Sequence, residues 1–221
     1  MELGCPLIRH YLKNVLFING TACAGKSTMA RLLAETYGLL LCGENYGCVP
    51  EGLISPETHP NLCYFQTMQD WQEFIHRTPR QYSDWIAGCS RELAQFEIAH
   101  LMGIPRERRV IVDTNIPADI LREIAGYHQV AVMLAPPELS AGHFFDRDDP
   151  EKLFIREEIM RSRDPEAAMD NFLACIAAVN SRENYDSSAN SGFFTVVRRD
   201  ASRDTRAETL TILAKHFGLT E

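Results

Sequence analysis

Five short apolar runs punctuate the chain: Val15–Ile18, Leu39–Cys42, Val110–Val112, Val130–Leu134 and Phe193–Val197. They are rich in Val, Ile, Leu and Phe and are bounded by polar residues or glycine. Such runs predict strands of a parallel sheet, buried on both faces. Stretches of helical periodicity lie between them. Ser27–Tyr37 places Met29, Leu32, Leu33 and Tyr37 on one face, with Gly38 as a C-cap, and Thr205–Phe217 repeats the pattern with Leu210, Leu213, Ala214, Phe217 and Gly218. Strand–helix alternation of this kind implies right-handed crossovers and an open, doubly wound α/β sheet.

Two segments interrupt the alternation. The first, about residues 43–108, opens as a Pro- and Gly-containing loop and turns helix-like over Phe65–His76 and Ser83–Met102. The second, about residues 140–191, is dense in charge. Insertions of this length in a compact α/β domain are usually functional.

Composition narrows the classes. The 221 residues are 45% apolar and 24% charged, an ordinary globular balance that excludes a mainly disordered chain and suits one domain. The formal charge of −8 argues against sequence-independent nucleic-acid binding. No apolar run is long enough for a membrane span, and Met1–Leu12, with Glu2, Arg9 and His10, lacks the run of a secretory leader. Seven cysteines without a CxxC pair suit a reduced, cytoplasmic protein. Zinc held by Cys42, Cys48, Cys63 and His59 is an alternative whose spacing matches no common pattern.

The chemistry concentrates in Gly20-Thr21-Ala22-Cys23-Ala24-Gly25-Lys26-Ser27, a GxxxxGK[ST] run between a predicted strand and a predicted helix. In that context backbone N–H groups turn inward on phosphate oxygens, and the helix N-terminus adds its positive dipole end. Lys26 reaches the β- and γ-phosphates and Ser27 offers its hydroxyl to Mg²⁺. A second candidate is Asp113, at the C-terminal end of a predicted buried strand, where ligands of open α/β sheets bind. It suits a Mg²⁺ ligand, or else a cap for a helix starting near Asn115-Ile116-Pro117-Ala118. Asn115 is a further polar candidate. Glu44, after the second strand, is either a base toward a substrate hydroxyl or a solvated loop carboxylate.

From Phe17 through Gly20–Ser27 and on along Thr28-Met29-Ala30-Arg31-Leu32-Leu33-Ala34, the sequence resembles the opening of P-loop small-molecule kinases, a group that includes shikimate and gluconate kinases, chloramphenicol phosphotransferase and the nucleoside monophosphate kinases. The resemblance implies a P-loop NTPase fold: a five-stranded parallel sheet in the order 2-3-1-4-5, a substrate-binding insertion after the second strand and a mobile lid after the fourth. It implies ATP and Mg²⁺, with Gly20 to Thr28 around the phosphates. The expected activity is transfer of the γ-phosphoryl group to a small-molecule or nucleotide acceptor, by a monomer or homodimer. The group often has an Asp where this chain has Glu44.

The resemblance puts the loop at Arg198-Arg199-Asp200 against adenine, with Arg199 as the contact; the alternative is a plain connection with Asp204 or Thr205 as N-cap. A lid supplies cations to the transferring group. Arg147 and Arg161 are the candidates in the charged stretch, which otherwise reads as a solvated face with Glu157 and Arg161 paired at i,i+4. Trp71 and Trp85 either wall the acceptor site or pack helices onto the sheet. A sensor that binds ATP without transferring it, or an NTP hydrolase, is the competing class. The Asn-Lys-x-Asp guanine signature of GTPases does not occur.

Overall fold

The computed structural model describes residues 5–43, 49, 52–141, 144–145, 150–199 and 203–220. In chain order the elements are α1 (Cys5–Tyr11), β1 (Val15–Gly20), α2 (Lys26–Tyr37), β2 (Leu40–Cys42), α3 (Tyr64–Thr67), α4 (Trp71–Ile75), α5 (Pro79–Gly103), β3 (Val110–Asp113), α6 (Ala118–Ile124), β4 (Val130–Leu134), α7 (Pro137–Ala141), α8 (Pro150–Met160), α9 (Pro165–Val179), α10 (Arg182–Ala189), β5 (Phe194–Val197) and α11 (Arg206–His216). The five strands form one sheet in the order β2-β3-β1-β4-β5, all parallel.

The period-2 geometry of the strands sorts their apolar residues onto two faces. Leu16, Ile18, Ile111, Ala131 and Met133 pack with Met29, Leu33, Leu213 and Phe217 beneath α2 and α11. Their alternates Val15, Phe17, Val110, Val112 and Val130 pack with Leu12, Leu101, Leu121 and Ile124 on the other side. In the central strands β1, β3 and β4 both faces are covered, so they had to be apolar at nearly every position, whereas the edge strands β2 and β5 leave Leu41 and Val197 exposed. Leu33 and Phe17 are fully buried, and side chains of this size contribute roughly 1.5–3 kcal/mol each on burial.

A third core lies away from the sheet. Phe74, Ile75 and Tyr82 of the first insertion pack with Ile159, Phe172, Cys175 and Ile176 of the second. Long α5 and α9 lie against each other, and α8 rests on α4. The two insertions therefore build one helical layer. Trp71 and Trp85 belong to its aromatic packing: Trp71 meets Phe154 edge-on at 4.8 Å and Trp85 meets Phe74 at 5.4 Å.

Local chemistry explains where the helices depart from the periodicity. The expected helix over residues 65–76 is two short ones, because Asp70 takes an extended backbone and its carboxylate accepts from the Glu73 N–H at 3.0 Å, starting a new helix. Helix α5 begins four residues before Ser83, set by a capping box between Thr78 and Gln81 and by Pro79 in the first turn. The expected Glu157–Arg161 pair does not form. Arg161 pairs with Glu158, one residue closer along the helix.

Candidate functional site

The chain leaves β1 through Gly20, whose φ of +133° is open only to glycine. A Cβ there would lie 1.8 Å from the Met133 carbonyl oxygen. This close passage lets the Thr21 N–H bond the same oxygen at 3.0 Å. The Thr21 hydroxyl then accepts from the Ala135 N–H at 2.8 Å, which ties the loop to the end of β4. Cys23 and Gly25 are both left-handed, with φ of 60° and 89°, and such residues turn successive N–H groups inward into an anion-binding concavity. Gly25 supplies no side-chain cap to α2. The first N–H groups of a helix have no intrahelical acceptor, and those of α2 follow directly on Gly25 of the loop. The Lys26 ammonium folds back over the loop and donates to the Thr21 carbonyl at 3.3 Å.

Asp113 ends β3 in register with Ile18 of β1, two residues before Gly20, and is 1% exposed. Helix α6 starts only at Ala118, with Pro117 at its cap position, so Asp113 is not the cap of that helix. The Thr114 N–H bonds the Ile18 carbonyl at 2.9 Å, and the Asn19 amide donates to the Ile116 carbonyl at 2.7 Å. These bonds lock the Asp113–Ile116 turn to β1, beside the glycine-rich loop.

Two cavities meet at that loop. One, of about 560 Å³, lies between the start of α2, the end of β5 and the start of α11. Its wall is charged, with Arg199, Arg203, Asp204, Arg206 and Glu208. Hydrogen bonds from Arg206 hold the Asp204 carboxyl well below the usual carboxylate range. Asp204 also accepts from the Arg206 N–H at 3.0 Å, at the start of α11, whose cap position is Thr205. The other cavity, of about 920 Å³, runs from Gly20–Thr28 to α5, α9 and α10. Besides Lys26, its charged wall residues among those described are Lys152 and Arg198. The Arg198 guanidinium donates to the Cys23 carbonyl at 3.0 Å and borders both cavities.

The structure thus gathers Gly20 to Thr28 and Asn115 on one cavity and Arg199 on the other. Arg161 and Asp113 line neither: the Asp113 carboxylate is buried at the end of β3, and Arg161 sits beside Glu158, whose backbone carbonyl accepts from Gln72 of α4. Glu44, Arg147 and Cys48 lie outside the described residues. His59 bonds Thr58 and Gln95, and Cys63 is fully buried. Sequence reasoning missed Ser90, Asn180, Asn184 and Ser188 on the cavity wall. The one signal available was the Asn- and Ser-rich run that follows the apolar stretch of α9.

Comparisons of the chain with family models, with curated proteins and with solved structures found no match. No helix among the described residues is long and apolar enough to cross a membrane.

Proposed function

We propose that this chain is an ATP-dependent phosphotransferase of the P-loop type, moving a γ-phosphoryl group to the hydroxyl of a small acceptor. One observation carries the reading. A loop with two left-handed residues opens onto an uncapped helix N-terminus, has its lysine in place, and lies beside a buried carboxylate at the end of the adjacent strand. In this reading the loop N–H groups and Lys26 hold the β- and γ-phosphates and stabilise the charge of the transferring group. Ser27 and Asp113 would hold Mg²⁺; a hydroxyl and a carboxylate are the oxygen donors that ion takes. Bound there, it would neutralise charge between the phosphates.

The charged cavity beside Arg199 takes the nucleoside end and the larger cavity takes the acceptor. The acceptor hydroxyl oxygen bonds to the γ-phosphorus, the bond from that phosphorus to the β–γ bridging oxygen breaks, and ADP leaves with the electron pair. The hydroxyl proton passes to a carboxylate, for which Asp113 and, from the sequence alone, Glu44 are the candidates, and then to water.

The test is ADP release measured with and without acceptor, in the native chain and in Lys26→Ala. Acceptor-dependent release that falls roughly 10²–10³-fold in a folded Lys26→Ala supports the reading. Undiminished release in that variant removes the mechanism. Mg-ATP binding without turnover across a broad acceptor panel replaces it with the sensor reading.

A further inference from the structure

The wall of the larger cavity farthest from the loop has a consistent chemistry. The Asn180 amide nitrogen donates to the Ile176 carbonyl at 2.9 Å. That of Asn184 donates to the Val179 carbonyl at 2.9 Å and the Ala178 carbonyl at 3.3 Å. A backbone carbonyl only accepts, so these bonds fix which end of each amide faces the helix. The amide oxygens are left over. The Ser90 hydroxyl likewise gives its hydrogen to the Ile86 carbonyl at 3.0 Å, which leaves oxygen lone pairs.

Three residues of that wall, from α5, from the end of α9 and from α10, therefore offer acceptors to whatever occupies the cavity. Among the described residues, the cations of the lining are Lys26 and Arg198, bonded to carbonyls of the glycine-rich loop, and Lys152, which lies over the Phe144 ring at 5.3 Å. The remaining surface is apolar or neutral: Ile86, Ile176 and Val179, with Tyr82, whose phenol is pushed up to about 12 by burial and stays protonated.

We infer that the acceptor is an uncharged, hydroxyl-rich molecule with an apolar face, bound by donating hydrogen bonds to Ser90, Asn180 and Asn184, and not a carboxylate or a phosphate ester. The inference rests on the phosphotransferase reading and names its substrate class. An anionic group seated against Ser90, Asn180 and Asn184 would meet three lone-pair oxygens, while the described cations of the lining are engaged with loop carbonyls or an aromatic ring, and a buried unpaired charge is costly. A polyol or nucleoside brings the O–H and N–H donors that these oxygens need. Its attacking hydroxyl points toward Lys26, and its apolar face lies on Ile86 and Ile176.

The experiment uses the full chain. Thermal unfolding is followed first with Mg-ATP alone, then with a non-hydrolysable ATP analogue and matched probes: uridine against uridine monophosphate, glucose against gluconate and glucose 6-phosphate, and a set of neutral polyols and aromatic diols. A ligand that binds only the native state raises the midpoint by mass action. The expected result is a further rise with at least one neutral probe and none with its anionic partner. Ser90→Ala, a substitution a helix tolerates, raises KM for that probe roughly threefold to tenfold, the loss of about one hydrogen bond, with KM for ATP unchanged. A rise with the anionic members, or with no neutral probe at all, overturns the inference while leaving the ATP response intact. Absence of any Mg-ATP response instead removes the phosphotransferase reading itself.

Discussion

The two cavities that share the Gly20–Ser27 loop are built by different means. The smaller is made where the sheet ends: backbone of the loop, the tip of β5 and the charged start of α11. The larger is walled by side chains of helices that pack on each other through a core of their own. The first presents cations and carboxylates; the second, on the wall built by α5, α9 and α10, presents neutral oxygens over apolar groups, with Lys26, Lys152 and Arg198 elsewhere on its lining. A polyanion needs charge fixed to a rigid frame, and the sheet edge supplies it. An uncharged molecule is discriminated by lone pairs and shape, which a separate helical layer can vary without disturbing the sheet.

The largest effect expected from this difference comes from Phe172, fully buried in the helical core and in edge contact with Tyr82 at 5.7 Å. Phe172→Ala should cost about 3–5 kcal/mol of stability in denaturant unfolding. In the folded fraction it should raise acceptor KM while Mg-ATP still raises the unfolding midpoint. Equal loss of both responses would mean that the two cavities are one unit. Next in size, Lys26→Ala should remove about 2.7–4 kcal/mol of transition-state stabilisation without a comparable loss of stability.

Smaller again, Arg199→Ala should raise KM for ATP roughly threefold to tenfold and leave acceptor KM unchanged. A change in acceptor KM alone would place the acceptor in the charged cavity. The smallest effect lies at the opposite end of the sheet. His216 on α11 donates from Nε2 to the Val130 carbonyl at 2.9 Å, at the start of β4. Burial holds its pKa below the ordinary value, against the hydrogen bond to Val130 and with help from His128. The folded state thus favours the neutral ring. That contribution is complete above the unfolded value of about 6.5 and is lost as pH falls through the lower folded value. Unfolding midpoints measured from pH 8 to 5 should fall at the acid end, less so in His216→Gln, with KM for ATP and acceptor unaffected at neutral pH.

The sequence was legible where structure is local. The central strands, buried on both faces, must be apolar throughout, the two edge strands are apolar as well, and all five runs appear as strands within a residue or two. The glycine-rich loop is one continuous segment whose φ values follow from Gly20 and Gly25. The helical wall of the larger cavity was not legible, because Ser90, Asn180, Asn184 and Ser188 come from three parts of two distant insertions that only the α5–α9 packing joins. Their meaning also depends on which carbonyl each donor meets. Arg161 shows a related limit: cations at helical spacing read alike until Glu158, and not Glu157, turns out to be the partner. The breaks at Asp70 and Thr78 follow from capping, which periodicity alone does not register.

The central claim is that phosphoryl transfer occurs at this loop and ends on a neutral hydroxyl. The direct measurement follows the label from ATP carrying a radioactive γ-phosphate, with the native chain, Mg²⁺ and the neutral probe that most raises the unfolding midpoint. Label covalently attached to that probe, and none with Lys26→Ala, is the expected result. Label appearing only as inorganic phosphate, at the same rate with and without the probe, would contradict it.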